Sequence, residues 1–127
     1  MTRYLLDTTV LIAHLRGDEE VASFVLDLTS RGHSLCVNCV NVAEIARGIR
    51  PREREAAGAL LDRLAFLVTS KEAAVRAGRY QAEFEKRGQT VLLADALVAG
   101  TARVHGAVLV TDNVADFPMR DVRVQRP

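Results

Sequence analysis

The sequence predicts an α/β fold, with a mainly parallel central sheet of about four to five strands flanked by helices on both faces. Three observations carry this. Short apolar, strand-like runs alternate with segments of helical period along the whole chain. Glycine or proline punctuates the junctions, at Gly17, Gly32, Pro51, Gly88 and Gly106. The length of 127 residues, 49% of them apolar, is enough to enclose one core, and no repeat, linker or low-complexity tract divides it. Repeated strand–helix alternation in one domain, residues 1–127, implies parallel strands covered on both sides.

Taken in order, Arg3 to Asp7 reads as a buried strand and Thr8 to Leu15 as a short helix stopped at Gly17. Glu19 to Ser30 places Val21, Phe24, Val25 and Leu28 at helical spacing, with Gly32 after it. Ser34 to Asn38 is the second strand. Val42 to Ile49 is a helix halted by Arg50-Pro51, since the residue before proline avoids helical backbone. Arg52 to Leu64 follows, with Leu60, Leu61 and Leu64 on one face. Phe66 to Thr69 is a short strand. Lys71 to Arg87 is a longer helix ended by Gly88, and Leu93 to His105 another ended by Gly106. Ala107 to Thr111 is a strand, and Val122 to Gln125 an edge strand.

Composition removes several function classes. Aromatic residues make up 5% of the chain and tryptophan is absent, which argues against a stacking platform for bases. Seventeen basic and 16 acidic residues give a net charge of +1, which neither demands nor excludes a nucleic-acid partner. Only Lys71 and Lys86 are lysines; the other cations are arginines, suited to bidentate phosphate contact. No run approaches the roughly 18 apolar residues of a membrane span, and Tyr4 to Leu6 is too short for a signal-peptide core. A cytoplasmic chain is expected. Cys36 and Cys39 form a lone C-x-x-C with only His33 nearby, so two small buried residues are expected rather than a zinc or redox site.

Acidic residues recur where strands end. Asp7 closes Tyr4-Leu5-Leu6. Glu44 lies one turn into the helix after the second strand. Asp95 interrupts the apolar stretch from Val91 to Val98. Asp112 and Asp116 follow Ala107 to Val110. Ligands of open α/β sheets gather beyond the carboxyl ends of the strands, so these acids can meet. Each close pair of carboxylates repels by roughly 4 kcal/mol at an effective dielectric near 20. A cation or a shared proton relieves that repulsion. Each acid has a plainer reading beside this one. Asp7 could cap a helix, and Glu44 could close a capping box with Asn41. Asp112 and Asp116 could be ordinary turn residues. Asp95, embedded among Leu92, Leu93, Ala94, Ala96 and Leu97, is the hardest to explain without a cap or cation.

Leu5-Leu6-Asp7-Thr8, Val42-Ala43-Glu44-Ile45 with Gly48, Asp95-Ala96-Leu97-Val98-Ala99, and Thr111-Asp112-Asn113 running to Asp116-Phe117 resemble the successive motifs of PIN-domain ribonucleases, above all the VapC-type toxins of toxin–antitoxin modules. The likeness spans nearly the whole chain, and the Gln81 to Gly88 segment shares it. It implies that Asp7, Glu44 and Asp95 bind Mg²⁺, with Mn²⁺ as substitute. At the fourth position it leaves Asp112, Asn113 and Asp116 open; Asp116 is favoured as one turn from Asn113. Thr8, Thr111 and Asn113 are expected to orient these ligands or their waters. Hard oxygen donors suit such ions, which lower the pKa of bound water for in-line attack on a phosphodiester. No histidine base is required, and His14, His33 and His105 are expected at the surface or in packing. The resemblance further implies an RNA substrate cut to a 5′-phosphate and 3′-hydroxyl, a cognate antitoxin and a homodimer.

Two other functions compete. A phosphatase of the haloacid dehalogenase type also opens with strand–Asp, but it needs a second acid where Thr9 stands. A PIN-fold module that binds RNA or protein without cutting is the alternative from another class. Arg47, Arg50, Arg52 and Arg54 are either phosphate contacts near Glu44 or a solvated segment paired with Glu53 and Glu55.

Overall fold

Five short strands form one sheet in the order β3–β2–β1–β4–β5. They are β1 (Arg3–Leu6), β2 (Ser34–Val37), β3 (Ala65–Phe66), β4 (Val108–Val110) and β5 (Val124–Gln125). The computed structural model describes residues 1–127. Every neighbouring pair is parallel. Six helices join them: α1 (Thr8–Leu15), α2 (Glu19–Ser30), α3 (Cys39–Gly48), α4 (Arg54–Asp62), α5 (Lys71–Glu85) and α6 (Leu93–His105). A 3₁₀ turn at Pro51–Glu53 leads into α4, and a second spans Val114–Asp116.

Strand side chains alternate between faces, and the sheet buries both. Leu5, Cys36 and Leu109, paired in register across the three central strands, pack with Ala77, Tyr80 and Phe84 of α5 and Val98 and Ala102 of α6. Their neighbours Leu6, Val37 and Val110 face the other way, against α1, α2, α3 and α4. Leu5 and Leu109 are wholly buried, and each such side chain contributes about 1.5–3 kcal/mol by leaving water. Burial on both faces explains why the central strands read as unbroken apolar runs.

Helices α5 and α6 approach so closely at Gly100 that a Cβ there would collide with the Ala73 carbonyl oxygen. The α6 stop is left-handed backbone at Gly106, φ 64°, which glycine adopts without steric cost.

Several strands and helices end one or two residues short of expectation, α5 at Glu85 rather than Arg87 among them, and four other differences have a clear cause. Helix α3 begins at Cys39, three residues before Val42, because Asn38 caps it. The Asn38 side chain accepts the Asn41 amide and the Asn41 side chain accepts the Asn38 amide, both at 3.1 Å. Cys39 therefore opens a helix and is exposed, while only Cys36 is buried. β3 is two residues long at 65–66, not 66–69, and β5 begins at Val124 rather than Val122. Both are sheet edges, where one missing neighbour leaves fewer bonds to hold a strand. The expected helix from Arg52 is split by the 3₁₀ turn before α4.

The connectivity runs outward from β1 through β2 to β3 on one side, and from β4 to β5 on the other. The exits of β1 and β4 flank the point where winding reverses, the place where open α/β sheets bind ligands.

Candidate active site

Asp7 and Thr111 stand at those two exits. The Asp7 amide donates to the Val110 carbonyl (2.9 Å), extending the β1–β4 pairing to the rim. Asp7 occupies the residue before α1, yet its carboxylate does not cap that helix. Instead Oδ2 accepts the Thr111 hydroxyl at 2.8 Å. The same hydroxyl oxygen accepts the Asn113 amide at 3.0 Å, so Thr111 fixes both the acid and the loop leaving β4. Asp7 is 8% exposed. Burial pushes its pKa above the ordinary carboxylate value. The Thr111 hydroxyl and the Thr8 amide oppose that shift, and the charges of Glu44 and Asp116 add to it.

Glu44 projects from the middle of α3. The capping box that closes α3 uses Asn38 and Asn41, so Glu44 is free of that task. Its Oε1 accepts the Thr8 hydroxyl at 2.6 Å, tying α3 to the first residue of α1. Asp95 lies in the first turn of α6, whose capping position, Leu92, offers no side-chain bond. Its pKa is pushed up to about 6, first by burial and then by the charges of Asp116, Asp7 and Glu44. Asp116 closes the 3₁₀ turn after β4, held by its amide bond to the Asn113 carbonyl (2.9 Å).

The four acids thus act on one another across 109 residues of sequence. Asp112 does not join them. It is exposed, and its carbonyl accepts Arg126 at 2.6 Å. Asn113 enters through its backbone amide; its exposed side chain makes no hydrogen bond. Thr8 and Thr111 both contact acids directly, while His14, His33 and His105 lie elsewhere. His33 Nδ1 accepts the Thr2 amide, and His105 Nε2 contacts the Val68 carbonyl.

Sequence reasoning missed Asn38 as the cap of α3 and paired Asn41 with Glu44, whereas Asn41 is the partner of Asn38. The signal was present: an asparagine directly after a strand is a strong N-cap. It also missed the support beneath them. Asn38 Nδ2 donates to Thr69 and Thr101 (3.4 and 3.3 Å), and these two hydroxyls lie 2.8 Å apart. This buried network joins the starts of α3 and α5 to α6. The arginines after Glu44 also differ from their paired reading. Glu53 is taken by Arg16 (Nε–Oε2 3.1 Å, Nη2–Oε1 3.3 Å) and by the Arg50 amide. Arg47, Arg50, Arg52 and Arg54 are exposed and make no ion pair.

The donor set suits a hard divalent cation. All four are carboxylates, and two are held with raised pKa by burial and mutual repulsion, which a cation would relieve. No three of them stand close enough together in this structure to hold a metal ion between them.

The sequence pattern that defines the PIN domain matches residues 4–118. The chain belongs to the PIN domain family. Two relatives from Mycobacterium tuberculosis, ribonuclease VapC10 and ribonuclease VapC19, are 34% and 30% identical over 115 residues. Each alignment covers 91% of this chain, with 86% and 92% of the respective relative. The tRNA(fMet)-specific endonuclease VapC of Salmonella typhimurium is 28% identical, covering 92% of this chain and 91% of its own. Among solved structures, DNA-bound VapBC from Salmonella typhimurium superposes with a TM-score of 0.86 at 26% identity, over 99% of this chain and 98% of that one. VapBC2 from Rickettsia felis, bound to a promoter DNA fragment, gives 0.84 at 18% identity, over 98% of each chain, a likeness of fold alone. In this PIN domain no helix is long and apolar enough to cross a membrane.

Proposed function

We propose that this PIN domain is the toxin of a type II toxin–antitoxin module, an endoribonuclease dependent on Mg²⁺ or, in its place, Mn²⁺. The observation that supports the reading is that Asp7 and Asp95, one buried and one partly buried, each feel the charge of Glu44 and Asp116 near the β1–β4 switch point with no cation beside them. The ribonuclease names of its relatives support the same activity. In this reading Asp7, Glu44, Asp95 and Asp116 would hold the ion, which supplies positive charge and an activated water when bound. Thr111 orients Asp7 and Thr8 orients Glu44. Arg47 and Arg50 stand free beyond Glu44 to meet flanking phosphates. RNA is the proposed substrate, and a cognate antitoxin the protein partner.

A homodimer is also proposed. Edge strand β3 carries Phe66, 53% exposed, and Val68 follows at 59%; an apolar sheet edge of this kind is normally covered by another chain.

The test is incubation of purified protein with total RNA in Mg²⁺ and in chelator, with the chemistry of the cut ends mapped. Metal-dependent cuts leaving 5′-phosphate are expected. Binding of RNA with no cuts in either condition would favour the non-catalytic module.

A further inference from the structure

One cluster of positive charge lies away from the acids. At the opposite rim, where β1 and β4 begin, a cleft of about 590 Å³ lies between the strand starts and the end of α6. Arg3, Arg103 and Arg123 line it, with Asp121 as its single carboxylate. Asp121 also borders a second cleft, of about 500 Å³, where Arg76, Arg79, Arg87 and Arg120 meet Glu83. Arg76 and Arg79 continue into a third, of about 420 Å³, with Lys71 and Glu72. Because they share walls, the three form one continuous band along α5 and the loop before β5. Eight cations and three carboxylates line it, a balance of +5 in a chain whose net charge is +1. The remainder of the molecule therefore carries −4.

The carboxylates within the band are already engaged. Asp121 accepts Tyr80 (2.8 Å) and pairs with Arg76 (3.3 Å) and Arg103 (3.4 Å). Glu83 pairs with Arg87 at 2.9 Å. Arg79, Arg120 and Arg123 are exposed and have no carboxylate partner. Seven of the eight cations are arginines, whose planar fork matches phosphate. No exposed aromatic lines the clefts, so they offer phosphate contact without base stacking. Helix α6 sets the distance to the acids. Asp95 is in its first turn, and His105, which lines the first cleft, lies ten residues on, about 15 Å along the axis.

We propose that this band is a second RNA-contacting surface, which grips the phosphodiester backbone of a folded substrate while the acidic rim holds the scissile bond. It rests on the ribonuclease reading and narrows the substrate class: an RNA of a few nucleotides reaches the acids but not the band, whereas a stem several nucleotides long reaches both. The band holds by charge, so it adds affinity and salt dependence without sequence preference.

The test compares Asp95→Asn protein with the same protein also carrying Arg79→Gln, Arg120→Gln and Arg123→Gln. Binding to a fluorescent 30-nucleotide RNA hairpin and to a pentaribonucleotide is read by anisotropy between 50 and 200 mM KCl. The arginine substitutions are expected to weaken hairpin binding at least tenfold and to reduce its logarithmic salt slope by about two to three, roughly 0.7–0.9 per phosphate contact. Pentaribonucleotide binding should change less than twofold. Each single substitution, should the triple variant misfold by circular dichroism, is expected to lower the slope by about one. An unchanged hairpin affinity and slope overturns the proposal, as does an equal loss for both RNAs. So does preferential binding of polyglutamate, which would mark the band as a site for an acidic protein. The ribonuclease reading fails separately, if protein with Asp95 intact cuts no total RNA in Mg²⁺ whatever the hairpin slope.

Discussion

A carboxylate that loses water on folding and gains no cation is held at a cost, and Asp95 carries that cost most visibly. Its folded pKa of about 6 stands above the unfolded value of 3.8. A raised acid stabilises the fold below the unfolded pKa, and that contribution is lost as pH rises through about 6. A shift of that size is worth a few kcal/mol at most, which partial solvent access reduces to about 1–2 kcal/mol. Asp95→Asn should therefore raise the urea stability of metal-free protein by about 1–2 kcal/mol at pH 7.5 and by almost nothing at pH 4. No gain at pH 7.5 would mean that Asp95 is already compensated within the fold. Glu44 offers a cleaner separation of roles. Since α3 is capped by Asn38 and Asn41, Glu44→Gln keeps a partner for Thr8 and removes only charge. Melting temperature should stay within about 2 °C while cleavage of RNA falls at least 100-fold, a loss of about 2.7 kcal/mol in transition-state stabilisation. Cleavage near wild type would return Glu44 to a purely structural part.

At the scale of elements, α5 and α6 cross tightly at Gly100. Gly100→Ala drives a methyl group into the Ala73 carbonyl and should cost about 1–3 kcal/mol in urea unfolding, as overpacking does; an unchanged midpoint would show that the helices can part freely. The element pattern was largely legible in the sequence, because apolar period and glycine stops are local signals. Helices α1, α2 and α6 begin and end where Thr8, Glu19, Gly106 and their neighbours say. What escaped was non-local or marginal. The start of α3 depends on a reciprocal bond between two asparagines, outweighing the Asn41-to-Glu44 spacing. The two-residue strand β3 is defined only by its pairing with Cys36 and Val37. The Arg16–Glu53 pair joins residues 37 apart, so no reading of the local segment around Glu53 could assign it. Of the site, the acids were legible because each follows a strand or opens a helix. Their hydroxyl partners Thr8 and Thr111 were visible as candidates, but the geometry that leaves Asp112 outside came only with the loop's hydrogen bonds.

At the scale of the whole molecule, the parallel topology does the assembling. Two halves wind outward from β1 and β4, and the acids they carry from positions 7, 44, 95 and 116 arrive at the single rim where the winding reverses. Eight of the seventeen basic side chains line the far rim and α5, so that band carries +5 against −4 for the rest of the molecule. The central claim is that the acidic face exists to hold a divalent cation. Calorimetric titration of Mn²⁺ tests it most directly, run on the wild type and on Asp7→Asn, Asp116→Asn and Asp112→Asn. The wild type should bind Mn²⁺. Asp7→Asn should abolish binding, Asp116→Asn should weaken it about tenfold or more, and Asp112→Asn should change it less than twofold. Absence of Mn²⁺ binding by the wild type at millimolar concentration, or a larger loss at Asp112 than at Asp116, would contradict the account.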